Sequence, residues 1–378
     1  MSKAGGIVAH RPRGVALAGG GPLGAIYEIG ALVALDEALC GFSFVDCDVY
    51  VGVSSGSFIV AGLANGLTPQ AMYRMFIASE AADDPFEPDV LLRPNYREYG
   101  RRLASLPRLV AAAAEHYLQA PWSRGLFESS QQLARALPTG MFDSSRIGAY
   151  LAKLFSAPGR TDDFRALRHK LFLVATDLDS GEAVPFGARG RDAIPISQAV
   201  LASAALPGLF PPVEIAGRHY VDGALVKTLH ASVALRAGVK LLLCINPLVP
   251  FDADAEARGH RRRRRLVEGG LPTVLAQTFR AIIHSRMRTG MGRYRTEFPD
   301  ADVLLFEPPR EDADIFFANV FSYADRRRLS EHSYRRTRAE LWHRYAELAP
   351  VLARHGVTLD KAVLADERRT LADRAGRR

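Results

Sequence analysis

The sequence predicts an α/β protein: a mainly parallel central sheet with helices on both faces, a helical insertion and a helical C-terminal extension. Three observations predict it. A strand, a glycine loop and a helix follow one another over Gly14–Leu39. A second strand, glycine turn and helix follow over Asp48–Leu67. Two further apolar runs, Leu171–Leu178 and Lys240–Ile245, have the length and aliphatic character of strands buried on both faces, which is how parallel strands read.

The elements follow in order. Residues 1–13 read as a mobile lead-in. Gly14–Ala18 is a strand and Gly19-Gly-Gly-Pro-Leu-Gly24 a loop. From Ala25 to Leu39, Ile26, Ile29, Leu32, Val33 and Leu35 recur at helical spacing, and Pro22 suits the first turn of that helix. The strand centred on Val49–Val51 runs into Gly52-Val-Ser-Ser-Gly56, and a helix rich in small residues continues to Leu67. Residues 68–140 carry helical pieces such as Pro69–Glu80 and Pro107–Leu118, separated by proline and acidic breaks, with no strand signal. This stretch reads as an insertion and a candidate lid. The sheet resumes at Leu171, and Ala183–Phe186 is the second strand of a small hairpin. Pro195–Ala204 is a helix, stopped by the prolines of Leu206–Val213. Two short strands flank Gly217, with Asp222-Gly-Ala224 after them. Beyond the strand ending at Ile245 lie an arginine-rich loop (250–270), a helix (271–290), a strand (Asp302–Phe306), a charged helix (Arg326–Leu352) and a basic tail from Glu367 expected to fray.

Composition bounds the function. The chain has 378 residues, 48% apolar and 24% charged, as expected for one large folded domain with additions or for two domains. A net charge of +8 favours anionic partners, either nucleic acid or an anionic membrane surface. The odd set Cys40, Cys47 and Cys244 matches no zinc spacing, and Cys40 and Cys244 sit among apolar neighbours. Reduced core thiols of a cytoplasmic protein are expected. No apolar stretch precedes the first arginines, so no signal peptide is apparent. No run approaches the ~20 apolar residues of a membrane span.

Gly52-Val-Ser54-Ser-Gly56 is a G-x-S-x-G elbow, a serine on a tight strand-to-helix turn, and Ser54 is the candidate nucleophile. The helix starting near Ser55 aims its unpaired N–H groups and positive dipole end at the place an oxyanion would occupy. Gly19, Gly21 and Gly24 admit two readings. They match the G-x-G-x-x-G dinucleotide fingerprint, but the acidic residues of the second strand, Asp46 and Asp48, lie at its wrong end. Read instead as an oxyanion loop, consecutive glycines present backbone N–H groups to a developing alkoxide.

The glycine loop, the elbow and Asp222-Gly-Ala224, in that order, resemble the patatin-like phospholipase family of lipid acyl hydrolases. The segments Ala175–Gly181 and Ala202–Val213 are also similar to it, so the resemblance covers about residues 14–235 and leaves 236–378 as remaining strands, the arginine-rich loop and the helical extension. It implies a three-layer fold and a catalytic dyad, Ser54 with Asp222 as its base. It implies an oxyanion site drawn from Gly19, Gly20, Gly21, Gly24 and Ser55, with no metal or cofactor. Burial would have to raise the Asp222 pKa, because a free aspartate near ~3.9 is a poor base. Leu23 stands where members often carry arginine or lysine, which leaves phospholipids, lysolipids and neutral esters all open as substrates. A non-catalytic lipid-binding protein on the same fold is the alternative.

His219 and His230 would serve a serine–histidine–acid triad, but an α/β-hydrolase places its acid and histidine later, on separate loops. Arg261, Arg262, Arg263, Arg264 and Arg265 form either an ordinary solvated charge run or a contact for anionic lipid head groups at an inner membrane surface. Nucleic acid is not expected, since no aromatic platform accompanies the run. The apolar piece at Leu106–Ala120 either packs on the core or meets acyl chains.

Overall fold

The computed structural model of the chain describes residues 11–80, 93–119, 136–258, 265–316 and 323–372. An eight-stranded sheet forms its centre, in the order β6-β7-β4-β3-β1-β8-β9, with β5 paired to β4. The strands are β1 (Arg13–Leu17), β3 (Val49–Val53), β4 (Lys170–Asp177), β5 (Ala183–Phe186), β6 (Val213–Ile215), β7 (Arg218–Asp222), β8 (Leu241–Ile245) and β9 (Asp302–Phe306). β4, β3, β1, β8 and β9 run parallel to one another, and β5, β6 and β7 pair antiparallel. A separate antiparallel pair joins β2 (Leu39–Cys40) to β10 (Thr358–Leu359).

The core strands read as continuous apolar runs because both faces of the sheet are covered. Val49, Tyr50, Val51, Gly52 and Val53 are all buried. On one face, α1 (Gly21–Ala38) and α2 (Ser55–Ala64) pack on Val15, Leu17, Leu243 and Ile245. On the other, the short helix Ala231–Arg236 and part of the long helix Gly270–Glu297 cover Ala16, Val51, Leu242 and Cys244. The result is three layers, helix on sheet on helix.

The register positions the site. Val53 lies opposite Val174, and Ala175 lies opposite Asp222. The residue after β3 and the last residue of β7 therefore flank the same end of β4. Close approach of α2 to the sheet depends on the elbow glycines. A Cβ on Gly52 would come within 2.4 Å of Val60 Cγ2, and one on Gly56 within 2.5 Å of the Ala18 carbonyl.

The C-terminal extension is fastened to α1. Helix Tyr323–His343 crosses it where a Cβ on Gly30 would lie 2.1 Å from Ser333 Oγ. Buried Arg338 lies 3.4 Å from Glu37 and donates to the carbonyls of Val363 and Asp366. No helix among the described residues is long and apolar enough to cross a membrane.

Several expectations need correction. Pro107 does not start a helix; it lies inside one, Tyr96–Gln119. It is exposed, so the carbonyl it leaves unpaired can meet water. Pro69–Glu80 is a short α-turn, Pro69–Met72, followed by a π-helical stretch, Tyr73–Ala78, which ends at Ser79 in the left-handed region (φ 55°). The charged helix expected over Arg326–Leu352 breaks at Arg344 into Tyr323–His343 and Tyr345–Ala353. Cys40 is exposed on β2 rather than buried; Cys47 and Cys244 are core thiols as expected. The tail does not fray at Glu367: Leu371 is buried and its N–H donates to Glu331. Arg261 to Arg264 lie outside the described residues, and Arg265 is exposed.

Candidate active site

Ser54 ends the buried strand β3 and precedes α2. Its backbone holds φ 53°, ψ −124°, a conformation costly for a residue with a Cβ. The turn is held from outside: the Ser54 N–H donates to Ser203 Oγ at 2.9 Å, and that hydroxyl donates to the Val174 carbonyl at 2.6 Å. Ser203 is fully buried at the end of helix Ile196–Ser203.

The Ser54 hydroxyl donates to Asp222 Oδ2 at 2.6 Å. Asp222 terminates β7, and its other oxygen, Oδ1, accepts from the Ala224 N–H at 2.8 Å. Its carbonyl accepts from Thr176 Oγ1 on β4, so backbone and carboxylate are both fixed. Ser54 is 6% exposed and Asp222 2%. Loss of solvent raises the Asp222 pKa to about 6, against the hydrogen bonds from Ser54 and Ala224, which lower it. A carboxylate at that value is ionised near neutral pH and is a far better proton acceptor than a solvated one.

The glycine loop lies beside this pair. A Cβ on Gly19 would sit 2.9 Å from Ser54 Cβ and 3.6 Å from Ser54 Oγ, so only glycine fits there. Gly20 is held against Gly24 and Pro247: its N-cap carbonyl accepts from the Gly24 N–H at 3.0 Å. Gly21 has φ +59° and nothing near its Cβ position, so it faces open space. A Cβ on Gly24 would lie 3.1 Å from Ser55 Oγ. α1 and α2 begin at Gly21 and Ser55, so their positive dipole ends meet at this loop. All the residues expected from the sequence, Ser54, Asp222, Gly19, Gly20, Gly21, Gly24 and Ser55, therefore converge.

The two histidines do not form a triad. His219 is exposed on β7, opposite Glu214. His230 is buried at the start of Ala231–Arg236 with φ 46°, and Nε2 lies 3.4 Å from the Gly223 carbonyl. Burial pushes its pKa down to about 4, so it is neutral. Asp222, not a histidine, contacts the serine. The sequence does not single out Ser203, Thr176 or Pro247: Thr176 and Ser203 lie inside the two further segments similar to the family without standing out in them, and Pro247 shows only as a proline just past the carboxyl end of a buried strand.

A family model described as patatin-like phospholipase matches residues 15–235. Among solved structures, the chain is similar to VipD from Legionella pneumophila, with 14% identity and a TM-score of 0.38. That alignment covers 88% of this chain and 67% of VipD. It is also similar to the type III effector protein ExoU, with 16% identity and a TM-score of 0.38, over 94% of this chain and 58% of that one. A further ExoU structure, from the Pseudomonas aeruginosa type III secretion system in complex with SpcU, matches at 15% identity and a TM-score of 0.27, over 94% of this chain and 69% of the other. The chain thus spans between about three-fifths and two-thirds of the length of these proteins.

Proposed function

The chain belongs to the patatin-like phospholipase family of lipid ester hydrolases, and from that premise we propose that it cleaves fatty acyl esters through Ser54, with Asp222 as the only side-chain base. The observation that carries this reading is the 2.6 Å hydrogen bond from the Ser54 hydroxyl to a buried carboxylate whose pKa lies near 6.

In the proposed reaction the ester carbonyl carbon lies over Ser54 Oγ. The hydroxyl proton passes to Asp222 Oδ2 as the Oγ–C bond forms. Negative charge collects on the carbonyl oxygen and meets the N–H groups of Gly20, Gly21 and Ser55, with two helix N-termini behind them. One such donor is typically worth about 3–4 kcal/mol. The tetrahedral adduct collapses, and the leaving alkoxide takes the proton from Asp222. Water then enters the same place, gives a proton to Asp222 and attacks the acyl-serine, which releases the fatty acid and returns the proton to Ser54. Each proton transfer runs through the hydrogen-bonded Ser54–Asp222 pair, and no cofactor is needed.

The acyl donor is a phospholipid, a lysolipid or a related lipid ester. Leu23 packs against the apolar core, so that position offers no cation to a phosphate. This favours substrates bound through their acyl chains over strict head-group recognition.

The test is hydrolysis of soluble p-nitrophenyl esters and of mixed phospholipid vesicles by wild type, Ser54→Ala and Asp222→Asn, with folding checked by circular dichroism. Turnover by wild type and background rates for both variants support the reading. Activity surviving Ser54→Ala overturns it, and a wild type silent on every ester points to lipid binding without turnover.

A further inference from the structure

The long helix Gly270–Glu297 carries two opposite faces that are both accounted for by contacts or by exposure. Its inward face packs on the domain. Gln277 exchanges two hydrogen bonds with the Phe251 backbone, Arg280 lies over the Phe316 ring at 4.5 Å, Met287 is buried, and Tyr294 packs against the sheet-covering layer. These positions are spaced by three and then seven residues, which keeps them on one side of the helix.

The opposite side of the first half is apolar and exposed. Leu271 is 69% exposed, Phe279 51%, and Val274, Leu275 and Ile282 between 39% and 46%. At 100° per residue these side chains form one stripe centred about half a turn from the inward face. Val267, in the turn just before the helix, is 72% exposed as well. The stripe runs roughly 17 Å along the axis, from residue 271 to 282. A contiguous patch of this kind marks a contact surface rather than scattered surface leucines.

Beyond Ile282 the outward side changes character. It carries Ser285, Arg286, Thr289 and Arg293, all exposed. Between Gly270 and Thr296 the helix has five arginines, of which Arg280 faces inward, and no acidic residue; exposed Arg265 and Glu268 precede it. The apolar half is at the catalytic end of the molecule: Gln277 bonds Phe251, beyond the carboxyl end of β8. Just past the stripe, the Arg286 side chain reaches back and Nη1 donates to the carbonyl of Leu225, in the turn that follows Asp222.

We infer that the outward face of helix Gly270–Glu297 is the element by which the protein enters an anionic lipid bilayer, with Leu271, Val274, Leu275, Phe279 and Ile282 in the acyl boundary and the flanking arginines at the phosphates. The inference rests on the proposed lipid hydrolase reading and adds its membrane-docking element. The apolar stripe alone would suit a partner protein. The continuation beside it carries Arg286 and Arg293 outward and no acid before Glu297, which fits a layer of anionic head groups, where an amphipathic helix lies in the interfacial plane. Docked this way, the helix holds the Ser54 end of the sheet at the surface from which an ester must be drawn.

The experiment separates docking from catalysis by measuring flotation of the Ser54→Ala protein with phosphatidylcholine vesicles, with and without phosphatidylglycerol. A parallel series carries Phe279→Ser and Ile282→Ser together, and another Arg265→Gln and Arg293→Gln. The parent is expected to float with the anionic vesicles and to be released by salt. The serine pair should weaken partitioning at least about tenfold, and the arginine pair should reduce the anionic preference by roughly fivefold per cation. In the Ser54 enzyme, the serine pair should keep soluble-ester turnover and lose vesicle hydrolysis. Undiminished flotation of the serine pair overturns the inference. So does a concentration-dependent dimer that the serine pair abolishes while vesicle binding persists, since the face would then join two copies. Vesicle binding that needs this face, in a protein that turns over no ester, leaves the inference standing and refutes the hydrolase reading.

Discussion

Replacing Asp222 by asparagine changes one atom and removes the proposed base. Oδ1 is held by the Ala224 N–H, which requires an acceptor there. The new amide NH2 must therefore face Ser54 Oγ, as a donor, and the serine proton loses its destination. Positioned bases contribute about 10²–10⁴ in rate, so kcat/KM on a soluble p-nitrophenyl ester should fall about 10³-fold, or about 4 kcal/mol. The wild-type pH profile carries the second part. With the Asp222 pKa raised to about 6, kcat/KM should rise with pH with a single midpoint there. Roughly a tenth of full activity should remain at pH 5 and roughly nine-tenths should be reached at pH 7. Stability supplies the third. The folded pKa is raised from 3.8 to about 6, so this group's contribution to stability is fully present below the unfolded value and is lost as pH rises through the folded one. Asp222→Asn should thus be indistinguishable from wild type at pH 3.5 and more stable at pH 8, by about 3 kcal/mol at most. A folded Asp222→Asn that keeps more than a tenth of wild-type turnover, or a profile with its midpoint near 4 or 8, refutes the assignment of Asp222 as base.

Other substitutions test the supports of the site. Ser203→Ala leaves the Ser54 N–H and the Val174 carbonyl without partners; it should cost about 1–3 kcal/mol in chemical denaturation and lower kcat several-fold with KM unchanged, as expected of a positioning residue. Gly19→Ala puts a methyl 2.9 Å from Ser54 Cβ and should cost about 10² in kcat in a protein that still folds. His230→Gln should leave the soluble-ester rate and its pH midpoint unchanged, because that imidazole is neutral and bonded to the Gly223 carbonyl. Glu28 is wholly buried, neither carboxyl oxygen has a partner, and burial holds its pKa well above 4.5. Its contribution is lost as pH rises, so Glu28→Gln should match wild type in melting temperature near pH 4 and exceed it increasingly toward pH 8.

Much of this architecture is legible in the chain because apolar runs and glycines carry it. Asp302–Phe306 reads as a strand and is one, and β1, β3, β4 and β8 fall within a residue or two of their apolar runs. The elbow is readable because Gly52 and Gly56 are demanded by contacts with Val60 and Ala18, a local requirement that leaves a local mark. Two-residue strands leave none: Leu39–Cys40 and Thr358–Leu359 pair only because the C-terminal extension folds back on α1. Helix Ser145–Phe155 did have a signal, with Ile147, Leu151, Leu154 and Phe155 at helical spacing. The break at Arg344 has neither glycine nor proline to announce it. Ser203 was hidden for a different reason. A serine among alanines looks like any small residue on a packed helix, and its two partners lie 149 and 29 positions away. The Asp222 pKa likewise depends on burial by strands from across the chain, so sequence shows that a base is needed without showing that it is tuned.

Ser54 as nucleophile, activated by Asp222, is a testable assignment. The direct measurement is covalent labelling with a fluorophosphonate, followed by intact mass and peptide mapping, on wild type, Ser54→Ala and Asp222→Asn. One adduct per chain is expected on the peptide containing Ser54, none in Ser54→Ala, and labelling slowed by orders of magnitude in Asp222→Asn. An adduct on another residue, or a wild type that hydrolyses esters yet takes no label at Ser54, contradicts it.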